Sequence, residues 1–289
     1  MQIAHTIAEM RSALRALRTS QPTPAAAPTV GLVPTMGALH DGHRSLLRAA
    51  RQRCEVVAVS IFVNPTQFGP QEDFSRYPRT FEADCRMLEA ERVDLLFAPA
   101  PEEMYPAGAS TVVRVEGLSD RLDGASRPGH FYGVATVVAK LLHIVQPEVA
   151  FFGQKDAAQV AVLRRMVRDL DLPVELAICP IVREADGLAM SSRNRYLSPE
   201  ERRQALVLSR ALQTAEALAQ KGERAAAPLL ETMRGVFATE TAVKVDYLAV
   251  VDAETLLPVE EVRAGALVAV AAYVGATRLI DNILLPPAV

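Results

Sequence analysis

Two histidines three residues apart close the run Pro34-Thr-Met-Gly-Ala-Leu-His-Asp-Gly-His43, which lies between the apolar stretch Val30 to Val33 and a helical pattern starting near Gly42. At a helix N-terminus this spacing sets both imidazoles, His40 and His43, on one side. There they stand beside backbone N–H groups that lack intrahelical partners, at the positive end of the helix dipole. The result is an anion site with two added donors. Capping or packing is the plainer use of such a pair. Zinc would need further ligands, and no His, Cys or carboxylate stands nearby with ligand spacing.

Three further blocks have chemistry-bearing residues at comparable places. In Phe151-Phe-Gly-Gln-Lys-Asp156 a strand pattern gives way to a helix pattern; open parallel sheets bind ligands at that edge. Gly153 permits close approach there, Lys155 offers a point charge for phosphate, and Asp156 can accept from ribose hydroxyls or simply cap the helix. In Leu188-Ala-Met-Ser-Ser-Arg-Asn-Arg195 two hydroxyls, Ser191 and Ser192, precede the guanidinium fork of Arg193, a combination suited to clamping polyphosphate. Ser60 to Phe68 reads as a strand that stops at Asn64-Pro65, leaving Gln67 on a loop at the same edge, where an amide can bond a hydroxyl and a carboxylate.

The elements that must position these blocks follow from periodicity. Short Val, Ile and Phe runs at Val30 to Val33, Val56 to Val63, Leu95 to Ala98, Val149 to Phe152 and Val174 to Cys179 read as doubly buried strands. Helical spacing recurs between them, as in Leu46, Leu47, Ala50 and Cys54, or Val160, Leu163, Val167 and Leu170. Such alternation predicts parallel βαβ units. The Pro/Ala-rich stretch at 21–28 reads as a surface loop after an opening helix. Past residue 181 the alternation stops. Ser198-Pro-Glu-Glu201 predicts a capped helix running to about Lys221. A helix over about Ala225 to Thr239 and strands at Val243 to Val251, Ala266 to Val274 and Leu279 to Leu285 follow. The expected architecture is α/β: a Rossmann-like parallel sheet with helices on both faces over 1–181, then a smaller α+β lid domain over 182–289.

Composition narrows the function classes. With 289 residues, 31 Lys+Arg against 34 Asp+Glu and a net charge of −3, the chain lacks the basic excess that nucleic-acid binding would need. No apolar run approaches the ~20 residues of a membrane span. The N-terminal stretch has charges every few residues and no secretory h-region, so a cytoplasmic location is expected. Cys54, Cys85 and Cys179 have no C-x-x-C spacing and read as small buried side chains.

The H-x-G-H of residues 40–43 is similar to the adenylyl-transfer signature of nucleotidylyltransferases and class I aminoacyl-tRNA synthetases. Together the blocks closely resemble the pantothenate synthetase (pantoate-beta-alanine ligase) family. The matching stretches are PTMGALHDGH (34–43), SIFVNPTQF (60–68), YPRT (77–80), SRPGHFYGVATVVAKL (126–141), READGLAMSSRNRYL (183–197) and TRLIDN (277–282). The resemblance implies ATP-dependent condensation of pantoate with β-alanine through a pantoyl-adenylate, with Mg²⁺, in a homodimer. It implies ATP contacts at Met36, Gly37, Ala38, Leu39, His40, Asp41, Gly42 and His43, at Gly153, Gln154, Lys155 and Asp156, and at Val182, Met190, Ser191, Ser192 and Arg193. Pantoate is implied at Gln67 and Gln159, and His43 matches the proton-donor position.

Two departures stand out. Where the family commonly has Gly-Glu-Lys-Asp followed by an aromatic and Gln, this chain has Gly153-Gln-Lys-Asp156 followed by Ala157 and Ala158. The acidic pair that the family associates with magnesium is here Ala83-Asp84, leaving Asp84 as the one candidate protein ligand. The rival reading is a nucleotidylyltransferase moving AMP onto a phosphorylated acceptor, with Arg127 available for that acceptor.

Overall fold

A computed structural model describes residues 1–19, 28–70, 72–262 and 266–285. The Pro/Ala-rich stretch read as a surface loop falls, save for Pro28, outside them. Six strands form a wholly parallel sheet: β1 (Gln2–Ala4), β2 (Val30–Thr35), β3 (Val56–Ile61), β4 (Leu95–Phe97), β5 (Val149–Gly153) and β6 (Glu175–Cys179). Their order is β1-β4-β3-β2-β5-β6. The order therefore reverses between β2 and β5, and the crevice outside the carboxyl ends of those two strands is the switch point where such sheets take ligands. The edge strand β1 pairs Gln2, Ile3 and Ala4 with Leu95, Leu96 and Phe97. No sequence run announced it.

Alternation explains why the inner strands β2, β3, β4 and β5 are buried at nearly every position, whereas β6, expected to be doubly buried, lies at the sheet edge with Glu175 exposed and only Cys179 fully buried. Val30, Leu32, Val56, Ala58, Ala150 and Phe152 face one core, while Val33, Val57, Val59, Val149 and Phe151 face another. Side chains of period two reach opposite faces, so a sheet covered on both sides must be apolar throughout. The first face is covered by α1 (Ile7–Thr19), α6 (His130–Val145) and α7 (Ala157–Asp169), the second by α2 (Asp41–Arg53) and α3 (Phe81–Ala90). Two single-turn helices, α4 (Pro101–Met104) and α5 (Asp123–Ser126), lie between α3 and α6. Cys54 and Cys179 are buried as expected, whereas Cys85 is partly exposed.

The second half is built as its patterns indicated. α8 (Pro199–Gln220) starts at a reciprocal cap, in which the Glu201 amide donates to Ser198 Oγ at 3.2 Å and the Ser198 amide donates to Glu201 Oε2 at 2.8 Å. α9 (Ala226–Phe237) follows, then an antiparallel sheet of β7 (Val243–Asp252), β8 (Ala266–Val274) and β9 (Thr277–Leu285) in the order β7-β8-β9. Val268, Val270 and Ala272 of β8 pack with α8 and α9. On the other face Val251, Leu267 and Ala269, with Leu256, join the core that covers the parallel sheet. The two sheets thus share an apolar layer.

Candidate active site

The turn after β2 is built against its own conformational preference. Gly37 has φ +80° and Ala38 φ +51°. The left-handed region costs a non-glycine residue about 1–2 kcal/mol, so something must hold Ala38 there. The restraint is Asp84 of α3, 3% exposed. Its Oδ2 accepts from the Ala38 amide at 2.9 Å, and its Oδ1 accepts from the Leu39 amide at 2.9 Å and from Thr80 Oγ1 at 3.1 Å. Both carboxylate oxygens are thereby committed to the fold. Among the described residues no group of three or more His, Cys, Asp or Glu could hold a metal ion. Asp84 anchors the histidine-bearing turn, and a magnesium ion arriving with ATP would find no preassembled cluster of protein ligands among the described residues.

His40 is the N-cap of α2. Its Nδ1 accepts from the Gly42 amide at 3.2 Å, and His43 Nδ1 accepts from the His40 amide at 3.2 Å, a capping box made of two imidazoles. Their ring centroids are 4.1 Å apart. A backbone N–H can only donate, so each Nδ1 must be unprotonated and each Nε2 carries the proton of the neutral ring. Burial, aided by the Lys155 charge, lowers His40 to about 4. Burial and the neighbouring His40 lower His43 to about 3. The pair presents two neutral Nε2–H donors at pH 7, so capping and donation are performed by the same rings.

Gln67 is placed by a separate network. Asn64, 1% exposed, caps the single 3-10 turn Pro65–Gln67. Its Nδ2 donates to Gln67 Oε1 at 3.0 Å and to the Gly133 carbonyl of α6 at 3.1 Å, and its Oδ1 accepts from Tyr105 at 3.0 Å. The amide of Gln67 therefore points its Nε2 toward Met36, 3.2 Å from Sδ. A β-carbon on Gly133 would stand 2.4 Å from the Thr66 carbonyl oxygen, so only glycine lets α6 approach this turn. Behind Gln67, His130 Nδ1 donates to the Gln67 carbonyl at 2.8 Å and its Nε2 accepts from Arg127 at 2.9 Å. Burial and the Arg127 charge hold that imidazole neutral, at about 4.

The Ser/Arg loop is clasped over the opposite wall. Ser191 Oγ accepts from the Arg193 amide at 3.3 Å, and Ser192 Oγ lies 3.2 Å from the Tyr77 hydroxyl. Arg193 donates through Nε and Nη2 to both oxygens of Asp73 at 2.9 Å and stacks over the Tyr77 ring at 5.8 Å. The guanidinium fork is thus half engaged before any phosphate arrives, with its Nη1 donors uncommitted by those bonds.

One cleft gathers most of the expected residues. Met36, His40, Gly42 and His43 line it from the turn after β2, Gly153, Lys155, Asp156 and Gln159 from the β5–α7 turn, and Val182, Met190, Ser191, Ser192 and Arg193 from the Ser/Arg side. Gln67 closes the end nearest α6, with Asn64, Tyr77, Phe62 and Val134, none of which the sequence reading singled out as a site residue. Gly37, Ala38, Leu39, Asp41 and Gln154 are absent from the cleft walls. The first three shape the turn, Asp41 is exposed beside it, and Gln154 faces elsewhere: its Nε2 donates to Asn282 Oδ1 at 3.1 Å.

A family profile described as Pantoate-beta-alanine ligase matches residues 2–284. The chain belongs to the pantoate-beta-alanine ligase family. It is 66% identical over 290 aligned positions to the pantothenate synthetase of Acidobacterium capsulatum, covering 99% of this chain and 97% of that protein. The crystal structure of the Thermus thermophilus pantothenate synthetase superposes with a TM-score of 0.91 at 50% identity, covering 99% of this chain and all of that one. The Francisella tularensis pantoate-beta-alanine ligase, solved complexed with beta-gamma ATP and beta-alanine, gives 0.79 at 33% identity over 98% and 97% of the two chains. Ala157 and Ala158, where the chain departs from the family's common pattern, open α7 and are buried in the core, at 9% and 2% exposure.

Proposed function

We propose that this chain condenses pantoate with β-alanine, using ATP and forming pantothenate, AMP and pyrophosphate through a bound pantoyl-adenylate. The observation that carries this reading is the convergence of the His40 and His43 Nε2–H donors, Lys155 and the Ser191–Arg193 loop on one cleft whose far end is the fixed amide of Gln67. Pantoate is a carboxylate at neutral pH, so its attack on the α-phosphorus needs no base. The pentavalent centre collapses by breaking the bond to the departing pyrophosphate, on which negative charge grows. Donors preorganised toward that charge are worth about 3 kcal/mol each when one is deleted, and neutral imidazoles supply them without proton transfer. The apolar wall at Phe62, Val134 and Val138 suits a branched aliphatic acid, with Gln67 and Gln159 for its hydroxyls.

In the second half-reaction the β-alanine ammonium first gives a proton to water. The amine then attacks the acyl carbon, the bond from that carbon to the AMP oxygen breaks, and the nitrogen's surplus proton passes to water or to the departing AMP phosphate. A mixed anhydride is reactive, so orientation with water excluded carries much of this step. Magnesium accompanies ATP, bound by phosphates and water rather than by Asp84. The division at residue 181, the Ser/Arg loop as lid, a homodimer and a cytoplasmic location complete the reading, supported by the family resemblance. No described helix is long and apolar enough to cross a membrane. The rival transfer of AMP to a phosphorylated acceptor needs Arg127 free; its Nε and Nη2 instead bond both oxygens of Glu72, at 2.7 and 2.6 Å.

The deciding experiment is pyrophosphate–ATP exchange with Mg²⁺ and pantoate, β-alanine omitted. Pantoate-dependent exchange, followed by AMP release once β-alanine is added, is the expected result. Folded, ATP-binding protein without exchange would overturn the adenylate pathway.

A further inference from the structure

Lys155 reaches the cleft from the turn between β5 and α7, and that turn is fastened from the other half of the molecule. Asn282 of β9 is 3% exposed. Its Nδ2 donates to the Gln154 carbonyl at 3.0 Å and to the Lys155 carbonyl at 2.9 Å, while its Oδ1 accepts from Gln154 Nε2 at 3.1 Å. One buried amide thus fixes the backbone on both sides of the peptide that carries Lys155.

The adjacent residue of the same strand holds the facing loop. Asp281, 2% exposed, accepts from Arg183 Nη1 at 2.6 Å and Nη2 at 3.0 Å. Arg183 also donates to the Gly187 carbonyl at 3.1 Å, and it pairs through its backbone with Ala189, just before Met190 and the Ser/Arg loop. Asp281 itself is tied to its neighbour, since its Oδ1 accepts the Asn282 amide at 2.8 Å.

We propose that Asn282 is a positioning residue for adenylation: through the Gln154 and Lys155 carbonyls it sets where Lys155 stands relative to the Ser/Arg loop that Asp281 and Arg183 hold. The identity of residue 154 belongs to the same device. An amide at this position donates to Asn282 Oδ1 and so commits the Asn282 amino group to the two carbonyls. A carboxylate there could only accept, and would compete with those carbonyls for it. This assignment rests on the adenylation reading above. A displacement of about 1 Å at a charge-stabilising group costs on the order of 100-fold in rate.

The test is a double-mutant cycle on the full chain. Asn282→Ala, Lys155→Ala and the pair are assayed by pantoate-dependent pyrophosphate exchange, with thermal melting of each. Asn282→Ala alone is expected to lower the exchange kcat by about 10- to 100-fold, with the pantoate KM within about twofold. In the Lys155→Ala background the same change should do less than about twofold, because the group it positions is gone. Asn282→Asp, nearly isosteric, replaces the donor with an oxygen facing two carbonyls and should be at least as impaired. If either variant fails to melt cooperatively, the other carries the cycle. Equal losses in both backgrounds, or unchanged exchange in a folded variant, overturn the proposal. Absent pantoate-dependent exchange in the unaltered protein defeats the adenylation reading itself, before any variant is compared.

Discussion

Gly133→Ala isolates the contact that sets the Gln67 end of the cleft, the end proposed for pantoate. The new methyl carbon would lie 2.4 Å from the Thr66 carbonyl oxygen, 2.5 Å from its carbon and 2.6 Å from the Gln67 amide nitrogen. Ordinary contact begins at 3.4 Å, so α6 and the 3-10 turn must part by about 1 Å. The Asn64 amino group bridges these two elements, bonding Gln67 Oε1 on one side and the Gly133 carbonyl on the other. The displacement is therefore transmitted to the Gln67 amide. Overpacking of this kind costs about 1–3 kcal/mol, a melting-temperature loss of roughly 2–10 °C for a chain of this size. A misplacement of about 1 Å in a positioning group corresponds to about 100-fold in rate. Steady-state assays varying pantoate and ATP separately should show kcat/KM for pantoate falling by about that factor, with the ATP KM moving less than about threefold. A variant that loses stability but keeps unchanged pantoate kinetics would refute the claim that α6 positions Gln67.

His40, His43 and His130 are held near 4, 3 and 4, below the unfolded value of about 6.5. The unfolded chain therefore binds protons first, and the stability these rings contribute, complete above about pH 6.5, should be lost progressively as pH falls toward 4. Melting across that range should show it, and the exchange rate should show no histidine inflection between about pH 6 and 8. His43→Asn keeps an oxygen able to accept the His40 amide but removes the Nε2–H. It should lower exchange by about 10²- to 10³-fold and flatten the acid slope of stability, whereas a full loss of fold would favour a purely packing role. Asp84→Asn turns one amino group toward a backbone donor and should cost about 1–3 kcal/mol of stability while leaving the half-saturating Mg²⁺ concentration unchanged. A marked rise in the Mg²⁺ requirement would restore Asp84 as a ligand.

The cleft's outline was legible because its parts are local. His40, Gly42 and His43 announce a helix start by type and spacing, and Ser198 with Glu201 announces another. The Val and Phe runs of β2, β3 and β5 report double burial at every position. What escaped is long-range. Nothing near Asp84 in sequence says that its carboxylate holds the amides of Ala38 and Leu39, more than forty residues away. Gln154 reads as a phosphate-side residue by its neighbours, yet its partner Asn282 lies in the last strand. Arg127 looked available because Glu72 is distant in sequence. β1, at three residues, is too short for alternation to register.

The shared apolar layer between the sheets bears on how the protein can move and how it can be divided. Val251, Leu256, Leu267 and Ala269 pack into the same core as the α6 and α7 residues that cover the parallel sheet. A fragment cut near residue 181 would carry that surface bare to water, so the first half should precipitate rather than fold alone, and the whole chain should melt in one transition. Swinging the C-terminal layer open would expose the same apolar surface on every turnover. Substrate entry is therefore cheaper through the Ser/Arg loop, whose ties to Asp73 and Tyr77 are polar and can be exchanged for water.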